Sequence, residues 1–285
     1  MRNVLVVFNC NAGRRQVVIY KKAMHKFLLR NCNSFKFISI EEFDDINLDE
    51  YDVIFAMGGD GTVNKVVPYI INTDKTLGII PCGTANLLAA KLGLSMSLKK
   101  TLKIIEKGNK QKIDVLNIND EYCALRCGFG YDSDIICKTP QSLKNKFGYF
   151  AYFITGIIFA LRFKEREYKM LIDGEQRNIN ASSIIFANAA NMYRNIVSLA
   201  HSSTLDDGLM DIFVLKTSNP IIFFFELLCI ILKIRRNSNR AEYIRAKDVN
   251  IENSWLTCHI DGEKINFKGN IRINILDNAI EVFNK

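Results

Sequence analysis

Two glycine-bearing segments carry the residue types that hold a phosphate. Gly58-Gly59-Asp60-Gly61-Thr62-Val63-Asn64 follows the apolar run Asp52–Met57 and leads into a segment of helical spacing. Glycines at a strand-to-helix turn let backbone N–H groups approach an oxyanion with no Cβ in the way. The helix N-terminus behind them adds partial positive charge. Asp60 would repel a phosphate, so its carboxylate suits a phosphate-bound Mg²⁺ or a hydroxyl. Pro81-Cys82-Gly83-Thr84-Ala85-Asn86 also stands between a strand and a helix. Neighbouring parallel strands deliver their C-terminal ends to one edge of a sheet, so the two loops would share a crevice. Each loop has a plainer reading as a tight turn, with Thr62, or Thr84 and Asn86, capping the following helix.

The second half of the chain adds acidic turns. Asp207-Gly208-Leu209-Met210-Asp211 and Asp261-Gly262-Glu263 set carboxylates beside glycine, and Asp-Gly is itself a strong hairpin dipeptide. The tetrapeptide IDGE occurs at 172–175 and again at 260–263, the first copy reading as a hairpin turn alone. Other phosphate chemistries lack their signatures. There is no G-x-x-x-x-G-K-[ST] loop and no H-R-D loop, and Gly128-Phe129-Gly130 is only a fragment of G-x-G-x-x-G. The eight cysteines form no C-x-x-C pair and the three histidines are scattered, so no zinc site is expected.

These residues need a scaffold that places loops at strand ends. Val4–Phe8, Phe35–Ile40, Asp52–Met57 and Leu77–Ile80 read as buried strands. Val17–Leu29, Thr62–Ile71 (shortened by Pro68) and Ala85–Leu92 (stopped by Gly93) read as helices. That order predicts an N-terminal, doubly wound, mainly parallel α/β nucleotide-binding domain. From Ile113 onward, short alternating segments such as IDVLNI, SSIIFANA, GLMDIFVL and LTCHIDG predict a C-terminal antiparallel β-sandwich with inserted helices. The expected division is 1–112 and 113–285.

Composition agrees with a folded chain. Of 285 residues, 48% are hydrophobic and 24% charged, which excludes a disordered or collagen-like protein. The net charge of +8 suits an acidic partner, and no nucleic-acid motif accompanies it, so nucleotide phosphate or anionic lipid is favoured over nucleic acid. The apolar run near the N-terminus is too short for a signal peptide, so the expected setting is a reducing cytoplasm. Phe147–Phe163 and Pro220–Leu232 are apolar but shorter than the ~20 residues of a spanning helix. Both are edged by basic residues: Lys144, Lys146, Arg162, Lys164 and Arg166 for the first, Lys233, Arg235, Arg236 and Arg240 for the second. They can dock at an anionic membrane surface or pack on the sandwich.

In combination the motifs resemble the diacylglycerol kinase catalytic domain family of lipid kinases, which includes sphingosine and ceramide kinases. The shared pattern is G-G-D-G-T-x-N, then P-x-G-T-x-N, then D-G-x-x-D and D-G-E in order over nearly the whole chain. Asn9-Cys10-Asn11-Ala12-Gly13 resembles the family's N-P-x-S/A-G turn, with Cys10 in place of proline. The resemblance implies ATP and Mg²⁺ as cofactors and a lipid hydroxyl as acceptor, diacylglycerol or a related alcohol. It assigns ATP binding to Asn9, Ser39, Gly58, Gly59, Asp60, Gly61, Thr62, Val63, Asn64 and Thr84, with Glu263 as an orienting residue. Asp261 is the candidate base and Asp60 its rival. Thr204, Asp207 and Leu209 resemble the ligands of a second, structural Mg²⁺, although Ala200-His201 departs from the family's Ala-Pro nearby. A cytoplasmic enzyme at the inner membrane face is implied, with a homodimer left open. Two alternatives remain. One is a kinase of a soluble substrate such as NAD, since NAD kinases share the first loop. The other is a nucleotide-binding regulator without catalysis.

Overall fold

The structure is a computed structural model. It describes all residues except 1–2, 11–13, 84–85, 141, 144–149, 160–163, 189–190, 194–196, 199–202, 218, 220, 223–224, 227–238 and 253–254. The chain divides into two compact units, residues 1–114 with 278–285, and residues 115–277.

The first unit alternates strands and helices. β1 (Asn3–Phe8), α1 (Arg14–Asn31), β2 (Ser34–Ser39), β3 (Val53–Gly58), α2 (Asp60–Val66), β4 (Thr76–Pro81), α3 (Leu87–Lys91) and α4 (Leu98–Lys107) follow in order. The strands pair in parallel as β2-β1-β3-β4. Parallel strands covered on both faces need continuous apolar runs, and Val4 to Val7 and Ile54 to Met57 are all fully buried. Val4, Val6, Phe55 and Met57 pack with Val17, Met24 and Leu28 of α1 and Leu98 and Ile105 of α4. Pro68 ends α2 as expected, leaving a single 3-10 turn, Val67–Tyr69. Helix α4 was not among the expected elements, although Leu98, Leu102 and Ile105 carry its period and Gly108, at φ 77°, its stop.

The second unit is a β-sandwich. After β5 (Lys110–Ile118) come β6 (Glu121–Cys123), β7 (Arg126–Gly130), α5 (Tyr131–Lys138), α6 (Phe150–Phe159), β8 (Arg166–Ile172), β9 (Glu175–Ala181) and β10 (Ser183–Asn188). Then follow β11 (Asn191–Tyr193), β12 (Val197–Ser198), β13 (Met210–Leu215), β14 (Ala241–Ala246), β15 (Asp248–Glu252), β16 (Trp255–Ile260), β17 (Glu263–Lys268) and β18 (Ile271–Phe283). One sheet runs β14-β13-β10-β7-β16-β17, antiparallel throughout. The other sets the first half of β18 beside β15, β8 and β9. Phe129, Ile184, Phe186 and Ile212 of the first sheet share one core with Tyr168, Met170, Val249 and Ile273 of the second.

The segments IRINIL and AIEVF form the single strand β18, bent at Asn278, whose φ is 53°. Beyond the bend the chain returns to the first unit, where Glu281 and Val282 pair in parallel with Thr76 and Leu77 of β4. The Asn278 N–H donates to the buried Asp114 carboxylate at 2.7 Å. The first unit therefore gains a strand that a division at 112 and 113 did not include. Among the described residues no helix is long and apolar enough to cross a membrane. Of the apolar run 147–163, helix α6 is described; most of 220–232 lies outside the described residues.

Candidate functional site

The C-terminal ends of β1, β2, β3 and β4 lie in register, Phe8 beside Ser39 and Met57, and Gly58 beside Pro81. Parallel pairing thus gathers Asn9, Ser39, the Gly58-Gly59 turn that opens α2 and the Cys82-Gly83 turn at one sheet edge. The Asn9 N–H donates to Met57 C=O at 3.2 Å, and the Ser39 hydroxyl bonds the Glu41 carboxylate. Thr84 lies outside the described residues, as do Asn11, Ala12 and Gly13.

The two glycine loops touch back to back. A Cβ on Gly83 would stand 2.5 Å from Gly59 Cα, and one on Gly58 would stand 2.0 Å from Thr62 Oγ1. Neither position tolerates a side chain, and the Cys82 N–H donates to Gly58 C=O at 2.8 Å, tying the two turns together through the main chain. Thr62 is buried and its Oγ1 has no hydrogen-bond partner. Val63 is also buried, and its N–H donates to Gly59 C=O at 3.3 Å within the first turn of α2.

Helix caps differ from the simple turn readings. Gly59, not Thr62, is the N-cap of α2, and Asn86, at φ 49°, is the N-cap of α3 but makes no side-chain cap bond. Asn86 instead closes its own turn, its Oδ1 accepting from Gly83 N–H at 3.0 Å and its Nδ2 donating to Gly83 C=O at 2.5 Å. The cap of α3 comes from the other loop. Asp60 Oδ1 accepts from the N–H groups of Leu87 and Leu88 at 2.8 and 3.4 Å. Asp60 therefore braces one phosphate-type loop against the other, a role its spacing did not reveal.

In the second unit Asp261 sits at φ 46° in the β16–β17 turn. Its Oδ1 accepts from Arg126 N–H at 2.8 Å and its Oδ2 from Leu125 N–H at 3.3 Å. Burial pushes this carboxyl above the usual aspartate range, against the Arg126 amide, the Cys123 thiol and His259, which pull the other way. A raised carboxyl pKa suits a proton acceptor. Glu263, two residues on, is exposed.

Asp207 gathers its own loop. Its oxygens accept from Thr204 N–H at 2.9 Å and Leu209 N–H at 3.1 Å, and Arg245 reaches it at 2.5 Å. Arg245 Nε is 3.4 Å from Asp211, which is fully buried and also accepts from Ser203 and Tyr243. The three residues assigned to a second Mg²⁺ are thus brought together. The donors that meet this carboxylate are two amides and the Arg245 guanidinium, which supplies positive charge beside it; the further oxygens of the Mg²⁺ reading would be the Thr204 and Leu209 main-chain carbonyls. Nothing in the motif spacing marks Tyr243 and Arg245, which come from β14, or Ser203, which precedes Asp207 in its own loop.

Among the described residues no group of three or more His, Cys, Asp or Glu side chains could hold a metal ion. The seven described cysteines are all free thiols.

Comparison with known proteins agrees with these motifs. Residues 3–118 match the model of the diacylglycerol kinase catalytic domain, and residues 126–284 that of the YegS C-terminal NAD kinase beta sandwich-like domain. A diacylglycerol kinase of Staphylococcus aureus is 29% identical over 244 residues, 82% of this chain and 75% of the relative. One of Bacillus subtilis is 29% identical over 222 residues, 76% of this chain and 72% of the relative. An uncharacterized Synechocystis protein is 34% identical over 168 residues, so that the matched stretch spans 59% of this chain and 39% of that protein. Two solved structures from Bacillus anthracis, one described as a diacylglycerol kinase, cover 99% of the chain with TM-scores of 0.82 and 0.72 at 22% and 21% identity. That likeness is one of fold. With both halves matched in order, the chain belongs to the diacylglycerol kinase catalytic domain family of lipid kinases.

Proposed function

We propose that the protein transfers the γ-phosphate of ATP to the hydroxyl of diacylglycerol or a related lipid alcohol. The observation that carries this reading is the back-to-back contact of Gly59 and Gly83, braced by Asp60. Two glycine turns packed so closely that a side chain on Gly83 would strike Gly59 Cα bring main-chain groups together at the sheet edge, and main-chain N–H groups at a helix N-terminus suit phosphate oxygens. Asn9, Ser39, residues 58–64 and Thr84 are the proposed nucleotide contacts, with Glu263 as an orienting residue.

Asp60 is the proposed protein partner of Mg²⁺. Mg²⁺ is commonly held by one or two carboxylates plus substrate phosphates and water, so a single acidic residue beside the cradle fits it. When bound, Mg²⁺ neutralises charge on the transferring phosphoryl group. Asp261 is the proposed acceptor of the lipid hydroxyl proton, its carboxylate oriented by two amides before substrate arrives. Thr204, Asp207 and Leu209 are proposed as a structural loop whose counter-ion is Arg245.

The protein would work at a membrane surface rather than across it. Ile221 and Phe225, spaced by one helical turn, are 78% and 54% exposed, and Ile158 of α6 is 65% exposed. Exposed apolar side chains near basic residues support peripheral contact with anionic lipid, at the inner membrane face if the chain is cytoplasmic.

The deciding experiment follows ADP release with detergent-solubilised diacylglycerol, in the wild type and in Asp261→Asn. Turnover that needs lipid and is lost in the variant supports the reading; lipid-independent turnover overturns it, and an unaffected variant overturns the role given to Asp261. A second reading, phosphorylation of a soluble acceptor such as NAD, has one point in its favour: the second unit matches a sandwich described as NAD kinase-like. Product formed from NAD but from no lipid would select it.

A further inference from the structure

His259 is fully buried on β16. Its Nε2 lies 2.6 Å from Asp132 Oδ2, and its Nδ1 is buried without a hydrogen-bond partner. Asp132, in the first turn of α5, also lies 3.7 Å from the Arg126 guanidinium, and its N–H donates to Ser183 Oγ at 3.2 Å. Burial alone would raise the Asp132 carboxyl, but Arg126 and then His259 hold it down to about 2. An ionised partner on that side requires the proton on Nε2.

The pair is built around a glycine. A Cβ on Gly128 would stand 2.3 Å from Asp132 Oδ2 and 2.6 Å from His259 Nε2. An ion cluster costs desolvation, and a buried ring nitrogen with no partner adds to it. Packing by itself would be served better by apolar side chains.

The cluster meets Asp261 through the main chain. Arg126 N–H donates to Asp261 Oδ1, and Asp261 N–H donates to Arg126 C=O at 2.9 Å. His259 precedes Asp261 by two residues on the same chain segment. The other copy of the turn shows what the clamp alone requires. Asp173, at φ 47°, accepts from Lys247 and Asp248 N–H groups in an exposed hairpin. That clamp is made at the surface, so the buried cluster beside Asp261 serves something further.

We propose that Asp132 and His259 are positioning residues for Asp261. Asp132 anchors the Arg126 side chain and the His259 ring together, and so holds both backbone segments that fix the orientation of the Asp261 carboxylate. The titratable groups that face this carboxylate are Cys123 of β6, Cys127 of β7 and His259 of β16, while Arg126 of β7 meets it through its main-chain N–H. The inference rests on Asp261 being the proton acceptor.

A double-mutant cycle between His259→Ala and Asp261→Asn tests it, with saturating ATP and detergent-solubilised diacylglycerol. His259→Ala is expected to lower kcat about tenfold or more with KM for ATP nearly unchanged, and to cost almost nothing further when Asp261 is already Asn. His259→Gln, which returns an N–H toward Asp132, should recover much of the loss. Additive losses in the double variant, or wild-type kcat in His259→Ala, overturn the proposal and leave the base assignment standing. Wild-type turnover in Asp261→Asn overturns the base assignment and this inference with it. If the alanine variant does not fold, as read from its melting curve, Asp132→Asn runs the same cycle. It keeps an acceptor for His259 and removes the charge that holds Arg126.

Discussion

Asp173 and Asp261 occupy one local geometry twice. Each opens an Asp-Gly turn, at φ 47° and 46°, and each carboxylate takes two consecutive backbone N–H groups from a neighbouring strand. The two differ in surroundings, since Asp173 is exposed and Asp261 is half-buried beside Arg126, Cys123 and His259. Asp261→Asn should therefore lower kcat by about 10²–10⁴-fold, the usual range for removing an acid–base group. Asp173→Asn should leave turnover intact. Steady-state kinetics of both variants decide the matter, and equal effects would dissolve the distinction. The activity of the wild type should rise with pH through a value above the ordinary aspartate range, because the protonated carboxyl cannot accept a proton.

Asp60 has one structural duty and one proposed duty in catalysis. As an acceptor for Leu87 and Leu88 it stabilises the second loop, and removing it outright leaves those amides without this partner, at about 1–3 kcal/mol. Asn keeps an acceptor oxygen but loses the charge. Asp60→Asn should hold its melting temperature within a few degrees and lose lipid kinase activity, whereas Asp60→Ala should lose both. Retained activity in the Asn variant would reduce Asp60 to a brace.

Arg245 serves as the cation of the Asp207 loop. Calorimetric melting of the wild type should not respond to EDTA or to added Mg²⁺. Arg245→Met removes a partner of the fully buried Asp211 and should cost about 3–5 kcal/mol, part of it regained with millimolar Mg²⁺. A wild type that melts later with Mg²⁺ and earlier with EDTA would return the loop to metal binding.

The Asp132 carboxyl, held down to about 2, links stability to pH. A depressed carboxyl contributes stability that is present above its unfolded value of about 3.9 and is lost as pH falls toward its folded value. Denaturant midpoints of the wild type should fall between those limits. Asp132→Asn should start lower and be flatter over the same window; parallel curves would remove the ion pair from the account.

Ile221 and Phe225 should report membrane contact. Replacing both with serine should reduce co-sedimentation with anionic vesicles severalfold and leave the melting temperature unchanged, since both are exposed. A fall in melting temperature instead would show that they pack on the protein.

Much of this was legible in the residues. Glycines at strand ends, and strands apolar on both faces, imply parallel pairing and a shared loop edge, and β1 to β4 deliver it. Asn9, Ser39 and Gly58 could be grouped from sequence because parallel strands end together. What escaped comes from contacts that spacing does not encode. Asp60 caps α3 from 27 residues away. Arg245 reaches Asp207 from 38 residues downstream, and His259 meets Asp132 across 127. Helix α4 had a readable period and stop; β14 and β17, with mixed polarity along their length, had weaker signals.

The bend at Asn278 has a bearing on how the protein is made. The fifth strand of the nucleotide-type sheet comes from β18, and the stacked rings of Phe55 and Phe283, with centroids 6.1 Å apart, belong to that late addition. On the ribosome the first 114 residues must wait, with β4 exposed as an edge open to aggregation, until the whole sandwich has been synthesised. Expression of the leading segment alone should yield inclusion bodies, and supplying residues 278–285 in trans or by fusion is the way to make that half soluble.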